Sequence, residues 1–460
     1  MSGESFGEAL RELMTERGIG VRALARQVPC NPGTISKLCR DERGTSEAMA
    51  KRLDAILGSD DRLLALYKAT AAEGGAADSV GRSQAEAAWG AVGSPADLLS
   101  LAWTVGRLDQ PMARRALTQL AAAVTAAPLL GMADPIDRLA RALTRPAGIG
   151  EELVTQMEAR CVGFHRLEFM LPAEQIFRAL LGHLDEVTSL LEAVPADRWR
   201  RRLARTAGES AVLGAWLAWD LGDVSRAAAL YRTAELAAEA SQDPAIRACS
   251  AIYQSFAVSE TAGHHVALRT LRKADDLLPG GADRATRAWL IGRQAEEAAA
   301  LGDPAARDLI ERASDLMAEA RPQAERSWTR CLESPRFSHM RLTIATRLGD
   351  EDALYDEIGE LVTTASDPTQ KKSGRVLASI GLALTRLGDA KEGIAYGERA
   401  VEAVRVSQAG YAMTRLTELG SALMAHQSAR ARELRAAIGA TRRELVSPRP
   451  STPGMTPAPS

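Results

Sequence analysis

The sequence predicts an all-α protein, with a compact N-terminal unit of five short helices followed by a long α-solenoid. Three observations carry this expectation. Of the 460 residues, 46% are hydrophobic but only 4% are aromatic, so Ala, Leu and Val supply the apolar mass. Ala and Leu lose little side-chain entropy in a helix, whereas aromatic and β-branched residues favour strands. The N-terminal stretch as far as Tyr67 holds five short apolar runs at helical spacing, and a turn-like Gly marker then returns six times along the rest of the chain.

The N-terminal runs follow one another closely. Phe6, Leu10, Leu13 and Met14 share one helical face, which ends at Gly18. Val21, Leu24, Ala25 and Val28 form the second run, and Ile35 with Leu38 the third. Met49, Leu53, Ile56 and Leu57 precede Gly58, and Leu63, Leu64 and Tyr67 close the unit. Helices this short are marginal alone, so they must pack together as one domain over residues 1–70. Residues 71–95 are rich in Gly, Ala and Ser and read as a linker. Residues 96–180 read as a helical connecting region. Inside it, residues 116–133 contain no charge and follow Arg114 and Arg115. That run is barely long enough to span a bilayer and contains Pro128, so it reads as a buried helix or helix pair. Prolines crowd the end of the chain (Pro448, Pro450, Pro453, Pro457 and Pro459), and the tail 446–460 reads as disordered.

The segment 181–445 repeats. The marker is a Gly after an apolar run, usually followed by Asp: Gly182, Gly222, Gly263, Gly302, Gly349 and Gly388. The intervals are nearly constant, the longest falling between Gly302 and Gly349. Gly permits a left-handed turn between helices, and Asp caps the helix that follows. Small residues one heptad apart then let that helix approach its neighbour: Ala227 with Ala234, Ala267 with Ala274, Ala306 with Ala313, Gly393 with Ala400. The repeat at Gly349 departs from this, with Ala353 and then Glu360, and the insert from Gln323 to Phe337 before it is expected to bend the array. Over about 180–425 the pattern resembles the tetratricopeptide repeat, which implies paired antiparallel helices in a right-handed solenoid. The period is longer than the roughly 34 residues usual for that repeat, so longer helices are expected.

Function concentrates in residues 20–44, GVRALARQVPCNPGTISKLCRDERG. Ala25 is the small residue needed where two helices of a helix-turn-helix cross, with Val28, Ile35 and Leu38 as the apolar wedge. Asn31 and Pro32 form a cap and first-turn pair that starts the second helix. Its exposed face then holds Thr34, Ser36, Lys37 and Arg40. Lys37 is expected to reach base edges, assisted by Thr34 and Ser36, while Arg22, Arg40 and Arg43 neutralise phosphate. The stretch ALARQV…TISKLCRDERG resembles the lambda-repressor-like, or XRE, helix-turn-helix over about residues 5–67. The chain departs from that pattern at Val21, Pro29 and Cys39, where the family often has Gln, Gly and Glu.

Joined to a tetratricopeptide-like solenoid, the domain is similar to large actinobacterial regulators and to peptide-responsive regulators of Gram-positive bacteria. The resemblance implies a cytoplasmic, nucleoid-associated transcription regulator that binds double-stranded DNA as a homodimer. It also implies a peptide, small-molecule or protein effector in the solenoid groove. First helices of such repeats line the concave face, which nominates Arg293, Gln294, Glu297, His339 and Arg341 for ligand contact. A second reading is a helical-repeat adaptor that binds a protein partner, with the helix-turn-helix as a docking module.

Charge and motif content narrow the alternatives. With 57 Lys and Arg against 59 Asp and Glu, the net charge of −2 excludes a basic nucleic-acid coat, so any DNA contact is local. No phosphate-binding loop, GxSxG or HExxH occurs, and no enzyme, cofactor or metal site is expected. His264 and His265 are adjacent on a helix and point apart. The five cysteines are scattered without a CxxC pair and read as reduced thiols, with Cys30 and Cys39 flanking the recognition helix. Trp199, Trp216 and Trp219 read as solenoid core, and Arg200, Arg201 and Arg202 as a solvated face.

Overall fold

The computed structural model describes residues 4–28, 32–41, 45, 47–69, 95–107, 150–168, 171–193, 197–281, 283–332, 334–364 and 373–446. All regular structure among these residues is helical.

The N-terminal unit contains α1 (Phe6–Glu16), α2 (Val21–Gln27), α3 (Pro32–Leu38), α4 (Glu47–Leu57) and α5 (62–69). A reciprocal capping box opens α1, in which Ser5 Oγ accepts from the Glu8 N–H and the Glu8 carboxylate accepts from the Ser5 N–H, both at 3.1 Å. All five apolar runs enter one core, including Leu10, Leu24, Ile35, Leu53 and Leu63. Each such side chain contributes about 1.5–3 kcal/mol by leaving water. Asp54, buried on α4, caps α5 by accepting from the Leu63 and Leu64 N–H groups at 3.0 and 2.8 Å.

The connecting region supplies α6 (Pro95–Gly106), α7 (Glu151–Leu167) and α8 (Ala173–Ala193). Gly182 corrects the sequence reading, because it lies inside α8 rather than in a turn. It is followed by His183 instead of Asp, and His183 is fully buried, so nothing caps a new helix there and the apolar face continues. The boundary at 181 therefore falls within a helix. The uncharged run 116–133, the linker and the tail beyond Val446 lie outside the described residues. Among the described residues, no helix is long and apolar enough to cross a membrane.

The repeats follow as helical hairpins: α9 (Asp197–Asp220) with α10 (Val224–Ser241), α11 (Pro244–Thr261) with α12 (His264–Leu277), and α13 (Arg284–Ala300) with α14 (Ala306–Glu319). Then come α15 (Ser334–Leu348) with α16 (Glu351–Thr364), α17 (Ser373–Arg386) with α18 (Ala390–Ser407), and α19 (Met413–Ala422) with α20 (Ala429–Val446). Five marker glycines from Gly222 to Gly388 make left-handed turns, with φ between 69° and 89°. Asp223 and Asp389 cap α10 and α18 by accepting from the N–H three residues on, at 2.9 and 3.0 Å. All eight small heptad residues are buried. Successive first helices also pack on one another, so α9, α11, α13, α15, α17 and α19 form a continuous inner layer.

Two long-range contacts close this layer. The insert before α15 folds back across the ends of earlier first helices. Arg326 binds Asp243 at 2.9 Å and Asp283 at 2.6 Å, the residues that precede α11 and α13, and Ser327 Oγ donates to Glu209 of α9. Trp328 is fully buried and its Nε1–H donates to Thr286 Oγ1 at 2.9 Å. The insert is thus a strap across three helices. The turn Gly410–Ala412 before α19 lies against the end of α9, where the Tyr411 N–H donates to Asp220 Oδ1 at 2.8 Å and the Tyr411 ring sits 5.5 Å from Trp216. Trp216 is buried, as the core reading of the tryptophans requires, and its Nε1–H donates to Glu168 at 3.0 Å. Arg202 departs from the solvated-face reading: its guanidinium holds Glu158 of α7 at 2.6 and 2.8 Å and lies over the Trp199 ring.

Candidate nucleic-acid interface

The helix-turn-helix is built by α2 and α3. Leu24, Ala25 and Val28 on one side and Ile35 and Leu38 on the other are buried, which is the predicted wedge. The end of α3 is tied to the start of α1. Asp41, in the left-handed region at φ 54°, accepts from Ser5 Oγ at 2.6 Å and from the Gly7 N–H at 2.7 Å. Gly7 is needed at that crossing, since a Cβ there would meet the Leu38 carbonyl oxygen at 2.6 Å. This fixes α3 on its apolar face and turns the other face outward, where Lys37 and Arg40 are exposed one turn apart and Ser36 is half-buried. Arg22, at the start of α2, is also exposed. Asn31 and Arg43 lie outside the described residues, as does the orientation of the Thr34 side chain. The arrangement presents Lys37 and Ser36 on α3, Arg40 in the turn that follows it and Arg22 on α2, which suits the rim and floor of a DNA groove.

Cys39, on the inner side, is buried with its thiol 3.7 Å from Met14 Sδ, and burial pushes that thiol's pKa up. This fits the reading of a small packing residue, while Cys30 lies outside the described residues.

A helix-turn-helix domain family model matches residues 5–67. Comparison of the chain with curated proteins and with solved structures finds no match.

The matched domain rests on the repeats through its far side. The Arg52 guanidinium of α4 lies 5.2 Å from the Tyr355 ring centre on α16, and Tyr355 packs against the N-terminal core. The Tyr67 phenol of α5 lies beside Tyr396 on α18. These contacts use α4 and α5 and leave Lys37 on α3 exposed.

The groove candidates fall elsewhere than an open groove. Arg293, Gln294, Glu297 and His339 are buried. Arg293 binds Glu296, Glu297 and Ser255 Oγ, the last at 3.1 Å, and lies 4.0 Å from the Phe256 ring centre. Glu297 also meets His264 Nδ1 at 2.7 Å, while His265 is exposed, so the two adjacent rings do diverge. His339 shares a 3.0 Å hydrogen bond with Ser379 Oγ, and burial, then Arg375, hold its pKa well below the usual range. Burial would raise the pKa of Glu296, but Arg293 and its neighbours outweigh it and the carboxyl is held far below its ordinary range. Arg341 turns the other way, to Ser314 Oγ and Glu311 on α14. Sequence reasoning missed Glu296, Arg375 and Arg415, which complete this network. Their signal was charge at inward positions of first helices, visible only once the helix faces are known. Among the described residues, no cluster of three His, Cys, Asp or Glu could hold a metal ion.

Proposed function

We propose that this protein is a DNA-binding transcription regulator that reads operator DNA with α3. The observation that carries this is the outward side of α3 and the turn after it, with Lys37 and Arg40 exposed, on a helix locked by Ile35 and Leu38 within the matched domain. Lys37 contacts base edges, and Arg22 and Arg40 hold phosphate. A domain with net charge +1 over residues 1–70 binds weakly as a single module, so the reading includes a homodimer on two half-sites. The repeat domain acts as the sensing half, its inner layer receiving an effector. In this reading the protein is non-enzymatic and works in the cytoplasm at the nucleoid. Crosslinking and sequencing of DNA bound in the native host tests it: discrete genomic peaks, lost in Lys37→Ala, are expected. Their absence would favour the adaptor reading, in which the helix-turn-helix only docks to protein.

A further inference from the structure

The interior of the repeat layer is electrostatically unbalanced. Across α13, α15, α17 and α19, Arg293, Arg375 and Arg415 act on Glu296, Arg336, Arg375 and Arg415 act on His339, and Arg347 lies near Arg415, Glu297 and Glu418. Arg293 is satisfied by Glu296 and Glu297, Arg415 by Glu418, and Arg347 donates to the Glu296 carbonyl at 2.5 Å. Arg336 and Arg375 are not matched: among the described residues neither lies within ion-pair distance of a carboxylate. Among the described residues Arg336 meets the Trp289 ring, 5.1 Å away, and Arg375 makes a long 3.5 Å contact to the Tyr411 carbonyl and lies 5.3 Å from the Phe256 ring. Both are half-buried and keep some water-accessible surface. Burial, and then Arg415, pull the Arg375 pKa down to about 10, the sign of a cation short of counter-charge.

Unused donors accompany the unmatched charge. Trp289 Nε1, Gln294 Nε2 and Arg415 Nε are buried without a hydrogen-bond partner, on residues exposed by 1%, 4% and 4%. An orphaned buried donor is destabilising, and three of them in the layer that holds two guanidinium groups without a carboxylate are a poor solution for a finished core. The same donors form a ready receptor for an anion, since guanidinium binds carboxylate or phosphate in bidentate fashion. Trp289 and Phe256 beneath the guanidinium groups, with Tyr253 5.2 Å from Trp289, offer apolar walls. The Tyr411 turn that Arg375 touches is itself held to Asp220.

We infer that Arg336 and Arg375 form the anion subsite of an internal ligand chamber that takes a small organic dianion, a dicarboxylate or phosphate monoester, with a flat apolar body. This deepens the reading of the repeats as the sensing half and rests on it only for the consequence, not for binding itself.

Calorimetric titration of the full chain with phthalate, phenyl phosphate, inorganic phosphate and benzyl alcohol tests the assignment. Saturable one-to-one binding of phthalate or phenyl phosphate is expected, with a change in tryptophan fluorescence. The arm that binds more tightly assigns the anion as carboxylate or phosphate. Inorganic phosphate should bind at least tenfold more weakly, and benzyl alcohol not at all. Arg375→Gln and Arg336→Gln should each weaken binding at least tenfold. Among the described residues Arg336 has no hydrogen-bond partner, so its variant should fold even if the Arg375 variant does not. Binding by neither dianion, or undiminished binding in the Arg336→Gln variant, would overturn the site. DNA affinity measured in parallel on host fragments separates the two readings: a dianion that binds without changing it supports the site and overturns sensing.

Discussion

The backbone N–H of Tyr411 donates to Asp220 Oδ1 at 2.8 Å across 191 residues of sequence, joining the turn before the last repeat to the end of the first repeat helix. The contact is tight, because a Cβ on Gly410 would meet the Asp220 carbonyl oxygen at 2.7 Å. Backbone oxygen cannot swing aside as a side chain can, so only Gly allows this approach.

Gly410→Ala should therefore loosen the closure more than Asp220→Ala, which removes the hydrogen bond from the Tyr411 N–H, worth about 1 kcal/mol. Hydrogen exchange should report faster amide exchange around residues 410–412 in both variants, and more so in Gly410→Ala. Equal protection to the parent in Gly410→Ala would show that the closure is not populated.

Lys37→Ala should weaken specific DNA binding by about 1–3 kcal/mol, roughly 5- to 150-fold, without lowering stability, because the side chain is exposed. Competition against mismatched sites checks this, and relaxed selectivity at one base pair would mark a base-edge contact. A uniform loss with a salt slope smaller by about 1 would instead make Lys37 a phosphate ligand.

Gly7→Ala should displace α3, because the new methyl group would strike the Leu38 carbonyl and the Asp41 carboxylate. A cost of about 1–3 kcal/mol is expected from overpacking. The measurement is local: amides of α1 and α3 should exchange faster while those of α9 to α14 stay as in the parent.

Arg326→Ala should be among the most damaging single changes, since it leaves buried Glu209 and half-buried Asp283 without their cation and Asp243 with Arg205 alone. Breaking such a cluster costs about 3–5 kcal/mol. Burial already raises the Glu209 pKa, and loss of the cation raises it further. A folded-state pKa above the unfolded one makes stability greatest at low pH and lost as pH rises through the folded value. Thermal melts should thus show the deficit of Arg326→Ala shrinking on mild acidification and growing toward neutrality.

His183 gives the opposite pH signature. Burial, then Arg160, pull its pKa from 6.5 down to about 3, and burial alone leads the shift of His165 to about 4. A depressed value means stability is present above pH 6.5 and is lost as pH falls through the folded values. His183→Met, apolar and of similar size, should flatten that acid-side loss in thermal melts between pH 6.5 and 3.

Much of the fold is legible because its signals are local. The wedge of Ala25, Val28, Ile35 and Leu38 and the pairs such as Ala227 with Ala234 could be read from spacing alone, since helical geometry fixes which residues share a face. The exposed Lys37 and Arg40 follow from the same arithmetic. Gly182 shows its limit: a Gly ends a helix only where the next residues can cap and redirect the chain, and a buried His183 keeps the helix going. The groove nominations fall on first helices, but spacing could not show their surroundings. Arg293 and Glu297 face neighbouring first helices at close range rather than open water.

The sequence by itself determined the all-helical class, the placement of the turns after Gly222 and the surface of α3, all set within one or two helical turns. Tertiary structure alone decided that Arg326 straps three helices, that Tyr411 returns to Asp220, and that the N-terminal domain rests on Tyr355 and Tyr396. The physical reason is curvature. Each hairpin turns the next by a small angle, no single repeat encodes the total, and only the accumulated rotation brings residues 83 and 191 positions apart into hydrogen-bond range.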